Sequence, residues 1–205
     1  MLWLDLVHGG PIHARRVRVL AKRLAPELPP NGSVLDVGAG DGSLAAQIAR
    51  LRPDLRMHCV DVQVRTATAL PVEPFDGAKL PYHDDAFDAV LLVDVLHHTL
   101  DPLALLREVR RVARLRILVK DHALEGPFAG VTLRFMDWVG NARHGVALPF
   151  NYWPRVVWQR AFHQLGLAIR SWEYHLALYP WPAGLLFDRS LHFIALLERE
   201  AQGEP

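Results

Sequence analysis

Val34-Leu35-Asp36-Val37-Gly38-Ala39-Gly40-Asp41-Gly42 is the stretch on which the reading of this chain turns. An apolar run of strand length stops at three glycines in alternate positions, and Ser43, Leu44 and Ala45 open a helical pattern directly afterwards. Strand, tight turn and helix in that order leave bare backbone where a ligand can lie, because glycine accepts the turn dihedrals and carries no Cβ. Outward from the turn, Ser33 to Val37 predicts a buried strand. Residues 43–51 predict a helix with Leu44, Ile48 and Leu51 on one face and Pro53 beyond its end. Met57 to Val60 predicts a second strand ending at Asp61, completing a β-α-β unit in about 30 residues with a right-handed connection.

The same alternation continues along the chain. Upstream, Val17, Leu20, Ala21 and Leu24 recur at helical spacing, which predicts an amphipathic helix over residues 13–25 with Arg15, Arg16, Arg18, Lys22 and Arg23 as a solvated face. Downstream, a shortened helix is expected at 62–70 and a stub of strand at 72–75. A strand is expected at 89–93, a helix at 102–112 and a strand at 117–119, which together argue for an α/β domain with a mostly parallel sheet. Residues 121–153 break the rhythm with Phe128, Phe135, Met136 and Trp138 among several glycines, and read as a lid-like insertion rather than a linker. A helix with Pro154 at its first position follows, then strands at 168–174 and 191–197, read as an antiparallel pair at the sheet edge.

At 205 residues the chain suits one domain spanning 1–205. It is 51% apolar and 22% charged with a formal net charge of +1, so no global field draws it to nucleic acid or anionic lipid. Cys59 is the only cysteine, which excludes an internal disulfide and a cysteine-based zinc site. Asp5 and the His8-Gly9-Gly10-Pro11 break interrupt the apolar start, so a cytoplasmic protein without an integral membrane segment is expected.

Several nucleotide sites share a glycine turn after a first strand, and spacing separates them. A dinucleotide fingerprint needs glycine where Ser43 stands, and a Walker A loop needs a Gly-Lys-Ser/Thr that is absent. Asp36 and Asp41 flank the turn and would repel a pyrophosphate, whereas they suit a ligand bearing an ammonium or a sulfonium. Asp61 lies where a carboxylate can accept from both ribose hydroxyls, and Asp76-Gly77 supplies a second acidic turn.

With those residues the chain resembles a class I S-adenosylmethionine-dependent methyltransferase. Residues 34–42 resemble the family's first motif, Asp61 its ribose-binding acid, Asp76 and Gly77 its adenine-side acid and amide, and residues 80–98 its segment around the fourth strand. The resemblance covers residues 33–119 closely. It implies a Rossmann-like, doubly wound, three-layer α/β/α fold with a seven-stranded sheet, mostly parallel, carrying an antiparallel strand at its edge. It also implies S-adenosyl-L-methionine as cofactor, with Asp36, Gly38, Gly40, Asp61, Val62, Asp76, Gly77 and Asp94 as its binding residues. The short, proline-broken region near Val72 and the 121–153 insertion depart from the common core.

Candidates for chemistry lie after the fourth and fifth strands. His97 and His98 are adjacent, and neighbouring helical positions point apart, so the pair is not expected to share a metal. No metal site is expected elsewhere either. Asp121 and His122 sit where substrates approach an open sheet, and with His98 they are the candidate proton-transfer residues. Asp137, Asn141, His144, Asn151 and Tyr152 are candidates to line the lid. The expected activity is methyl transfer to a small-molecule acceptor, apolar or aromatic given the Trp, Phe and Leu beyond Asp121. The alternatives are a nucleic-acid methyltransferase, disfavoured by the near-neutral charge and the lack of an Asn/Asp-Pro-Pro-Tyr sequence, and a non-catalytic cofactor-binding subunit.

Overall fold

The computed structural model of the chain describes residues 10–141 and 149–200. Helix α1 spans Pro11–Leu24, two residues longer at its start than the sequence pattern suggested, and a 3-10 turn at Ala25–Glu27 follows. Strand β1 (Ser33–Val37) and helix α2 (Ser43–Leu51) fall where the pattern places them. Next come β2 (Arg56–Asp61), the two-residue β3 (Glu73–Pro74) and β4 (Phe87–Val93). After a 3-10 turn at Leu96–His98, helix α3 covers Pro102–Val112. Asp101 caps it by accepting the Ala104 N–H at 3.0 Å, and Pro102 takes the first helical position, where no N–H is needed. The remainder is β5 (Ala113–His122), α4 (Ala129–Asn141), α5 (Arg155–Gln164), β6 (Leu167–Glu173), the four-residue α6 (Gly184–Phe187) and β7 (His192–Arg199).

The seven strands form one sheet in the order β3-β2-β1-β4-β5-β7-β6. Strands β1 to β5 pair in parallel, and β7 pairs antiparallel with both β5 and β6. The antiparallel pair expected at the sheet edge is present as β6 and β7; the strand that runs against the others, β7, lies one place in from the edge, between β5 and β6. Its side chains explain the placement: Phe193 to Leu197 are all buried and need neighbours on both sides, whereas β6 exposes Arg170 and Glu173 and tolerates the edge.

Alternation along the strands sends apolar side chains to two helical layers. Leu35, Val37, Val90, Leu92 and Val119 meet Leu105, Leu106 and Val109 of α3 and Trp158 and Phe162 of α5. Val34, Ala89, Leu91 and Leu118 meet Leu20 and Leu24 of α1, Ile48 of α2 and Leu133 and Met136 of α4 on the opposite face. Each fully buried leucine or valine contributes about 1.5–3 kcal/mol, so both faces hold the sheet.

Four details differ from the sequence reading. No helix forms at 62–70, because β-branched Val62, Val64, Thr66 and Thr68 offer no stripe to bury and Pro71 closes the segment. The loop instead folds over the glycine turn, with the Ala69 N–H donating to Asp41 O at 2.7 Å. β5 is longer than expected, so Asp121 and His122 are its last residues instead of following it. The insertion contains a full helix, α4. Pro154 is the N-cap of α5, with extended ψ of 155°, not its first residue.

Candidate active site

The parallel strands deliver their carboxyl ends to one edge, and the turn after β1 lies there. Gly38 has φ of +76°, and a Cβ on it would stand 2.4 Å from Val95 Cγ2, so this glycine is required by both conformation and packing. The contact also brings the loop after β4 against the turn. Gly40 donates its N–H to Asp61 Oδ2 at 2.7 Å, and Gln63 donates to Asp61 Oδ1 at 2.8 Å, which fixes the acid at the end of β2. Asp76 accepts the N–H groups of Ala78 and Lys79, and these bonds hold its carboxyl below the usual range. Gly77 would place a Cβ 3.1 Å from Val62 Cγ1, and Val62 is 63% exposed, leaving a flat apolar surface beside two carboxylates. Asp36 is buried behind the turn. Burial, and then the charge of Asp61, push its carboxyl up to about 7. Asp36 and Asp61, whose charges oppose each other, form a cradle that a cation would relieve. Asp41 takes His13 of α1 at 3.5 Å and is held well below its ordinary range by that contact.

Next to the turn, the ends of β4 and β5 enclose a second, ion-rich cluster. Asp94, with φ of +57°, pairs with Arg16 of α1 at 2.9 Å and with Lys120 of β5. Burial opposes its charge, but Lys120 and Arg16 hold it well below the usual range. Lys120 is itself lowered, because burial outweighs Asp94 for the lysine. Arg16 also donates to the Tyr179 hydroxyl at 2.5 Å. Asp121 accepts three hydrogen bonds, from Leu96 N at 3.0 Å, His122 N at 2.7 Å and His97 Nδ1 at 2.6 Å. The other His97 nitrogen, Nε2, faces Asp137 Oδ2 of α4 at 3.5 Å, and Asp137 receives the Tyr152 hydroxyl. Burial disfavours charge on His97, yet Asp121 and Asp137 push it up to about 10. His122 is pushed down to about 3 by burial, His97 and Lys120, and His192 is lowered for similar reasons. The tight turn at 96–98 tilts His98 against His97, with ring centroids 3.9 Å apart. Adjacency therefore does not keep these two rings apart. Ligand atoms of His97, His98 and Asp137 all lie within 4.8 Å of one another, as do those of Asp94, His97 and His122.

Residues 12–171 match the family described as a methyltransferase domain. This chain belongs to that family. Its fold and turn are those of a class I methyltransferase, whose cofactor is S-adenosylmethionine. Among relatives, a demethylmenaquinone methyltransferase of Roseiflexus sp. is 32% identical over 105 residues, 46% of this chain and 44% of that protein. A ubiquinone biosynthesis O-methyltransferase of Xanthomonas campestris pv. campestris is 33% identical over 113 residues, 47% of this chain and 45% of that protein. The chain spans about half the length of the curated relatives it matches. Among solved structures, CalO1, a methyltransferase in calicheamicin biosynthesis in its SAH-bound form, superposes with a TM-score of 0.64 at 23% identity, over 92% of this chain and 54% of that one.

Within the methyltransferase domain, the residues expected to bind the cofactor, Asp36, Gly38, Gly40, Asp61, Val62, Asp76 and Gly77, fall around the turn after β1 and the ends of β2 and β3. Asp94 lies next to them but commits its carboxylate to Arg16 and Lys120. Of the proton-transfer candidates, Asp121 is sealed and saturated by three donors, and His122 is buried with its charge disfavoured. His98 alone is half-buried, and burial and His97 lower its pKa. Of the lid candidates, Asp137 and Tyr152 reach the cluster, Asn151 instead donates to Thr99 O at 2.6 Å, and His144 lies outside the described residues, as does the side chain of Asn141. Sequence reasoning missed Arg16, Lys120, Tyr179 and His192. Lys120 did carry a signal: a lysine directly after the buried apolar run Ile117 to Val119 has to find an acid if the strand continues through it. Two surface hollows lie away from this edge, one lined by α5 and β6 and one by Pro29, Pro30 and residues 114–116.

Proposed function

We propose that this methyltransferase transfers a methyl group from S-adenosylmethionine to a hydroxyl of a small, apolar, ring-bearing acceptor. The observation that carries the reading is the contact of Val95 with Gly38. It joins the cationic-ligand cradle directly to the turn bearing His97 and His98. Asp61, Val62, Asp76 and Gly77 would hold the adenosine, and Asp36, Gly38 and Gly40 the methionine end. When bound, the cofactor supplies an electrophilic methyl group on a sulfonium. The chain's own contribution is to align the acceptor and exclude water, which accounts for most of the barrier reduction in such displacements. His98 borders the space for the acceptor's hydroxyl, and the His97 ring packed against it is itself anchored by Asp121.

The acceptor's apolar character is supported by α4, which carries Asp137 into the cluster while Val131, Phe135 and Trp138 stay exposed along its outer face. Of the insertion expected at 121–153, helix α4 is the part that would cover the acceptor. Relatives named for quinone biosynthesis agree with a ring-bearing acceptor. Isothermal titration with S-adenosylmethionine, followed by mass spectrometry of demethylated quinols and simple phenols incubated with enzyme and cofactor, tests the proposal. Gain of one methyl on a phenolic oxygen is expected. Lack of cofactor binding at sub-millimolar concentration, or transfer to nucleic acid alone, would sink it.

A further inference from the structure

We propose that His97, His98 and Asp137 form a site for a divalent transition-metal ion of the zinc class, on the acceptor side of the cradle. The function attached to the site rests on the methyltransferase reading; the site itself does not.

Three features build it. First, the ligand set: two imidazoles and one carboxylate with their donor atoms within 4.8 Å of one another suit a borderline ion in a shell with an open position. Ligands bonded at about 2.1 Å in a tetrahedral shell stand about 3.4 Å apart. His97 Nε2 and Asp137 Oδ2 stand 3.5 Å apart, too long for a good hydrogen bond and close to that shell spacing. Second, His97 Nε2 and His98 Nδ1 are buried and have no hydrogen-bond partner among the described residues, an unfavourable state for ring nitrogens that a bound ion removes. Third, the outer support is in place. Asp121 accepts from His97 Nδ1 at 2.6 Å and is itself fixed by Leu96 N and His122 N, which leaves Nε2 as the nitrogen aimed at the ion. Tyr152 orients Asp137 in the same way.

The overlapping set of Asp94, His97 and His122 is the weaker choice. Asp94 already pairs with Arg16 and Lys120, and those cations would repel an ion bound there. A metal-free alternative, in which His97 is only an imidazolium locked between Asp121 and Asp137, leaves the 3.5 Å gap and the His98 nitrogen unexplained. With the site filled, the acceptor's hydroxyl oxygen takes the open position and its proton leaves to water, the ion favouring the oxyanion. The oxygen lone pair then forms the O–C bond as the S–C electron pair returns to sulfur.

Titration of the metal-stripped protein with Co²⁺, without cofactor, reads the site by its visible ligand-field absorption. One ion per chain, displaced by Zn²⁺, is expected. His98→Ala and Asp137→Asn are each expected to weaken Co²⁺ binding at least tenfold, while His83→Ala, an exposed histidine, leaves it unchanged. Calorimetry with S-adenosylmethionine on the same variants checks that the cradle is folded. Absence of Co²⁺ binding in wild-type protein that binds cofactor overturns the site, as does loss in His122→Gln with full retention in His98→Ala. Binding of Co²⁺ by protein that fails to bind S-adenosylmethionine upholds the site and refutes the methyltransferase reading of the cradle instead.

Discussion

Replacing Asp36 by asparagine isolates the energetic cost of keeping an acid behind the glycine turn. The carboxyl moves from an ordinary value of 3.8 to about 7 in the folded chain, through burial and then Asp61. At about 1.4 kcal/mol per pH unit this amounts to something on the order of 4 kcal/mol. The sign follows from proton counts. Between 3.8 and about 7 the unfolded chain has released this proton and the folded chain has not, so stability falls as pH rises through that window and levels off above it. The side-chain amide introduced by D36N never ionises. The two proteins should match near the acid end of the window and separate above it, with D36N the more stable by up to about 4 kcal/mol. Asp94, Asp121 and Asp137 are held low and slope the opposite way, but they do so in both proteins and cancel in the difference. Urea unfolding at a series of pH values measures it. Parallel curves for the two proteins would refute the account of Asp36. A cationic cofactor favours the ionised carboxyl, so affinity for S-adenosylmethionine should also rise with pH toward about 7 in wild type and stay flat in D36N.

Other perturbations separate packing from chemistry. Gly38→Ala meets Val95 at 2.4 Å as well as a left-handed backbone and should cost about 3 kcal/mol or more, whereas Gly126→Ala, with φ of +82° and open space around it, should cost only about 1–2 kcal/mol; thermal melts compare them. Asp61→Ala removes the anchor of Gly40 and should weaken S-adenosylmethionine binding by about 1–3 kcal/mol in calorimetry, and unchanged affinity would remove Asp61 from the cradle. Asp121→Ala strands the Leu96 and His122 N–H groups and the His97 ring together, and should destabilise by about 3–5 kcal/mol in denaturant unfolding; a loss under about 1 kcal/mol would show that these bonds contribute little.

Legibility in the sequence depended on whether a signal was local. The glycine turn, α2 and α3 were legible because periodicity, a proline and a cap lie within a few residues of each other, and they form at Ser43–Leu51 and Pro102–Val112 as read. The positions of the acids were legible for the same reason, since Asp36 lies within β1, Asp61 ends β2 and Asp76 comes two residues after β3. The second cluster was not. His97 meets Asp121 across 24 positions, Arg16 meets Asp94 across 78, and Lys120 meets His192 across 72, pairings set by sheet order and not by spacing. Residues 62–70 form no helix because their apolar composition has no buried face to cover. The two histidines converge, against the expectation from helical geometry, with ring centroids 3.9 Å apart at the end of the single short turn Leu96–His98, where rotamer choice and not helical phase sets the ring positions.

The carboxyl edge of the sheet divides by charge, and that division constrains what each half can bind. Around the glycine turn, the four acids Asp36, Asp41, Asp61 and Asp76 stand with His13, Arg65 and Lys79 among the basic side chains near them, and this acid-rich side suits a sulfonium with an ammonium tail. Beyond Val95, Asp94 pairs with Arg16 and Lys120, Asp121 and Asp137 face the His97 ring, and burial keeps His122 and His192 uncharged. Such a cluster has no large surplus of either sign to act at a distance, whereas its ring nitrogens and the Asp137 carboxylate can coordinate or accept at short range. The cofactor is thereby drawn to one half by its charge, while the other half selects its occupant by contact. An uncharged hydroxylated ring suits that second half, and a polyanionic backbone does not, since Asp94 already holds the Arg16 and Lys120 cations that could meet a phosphate there.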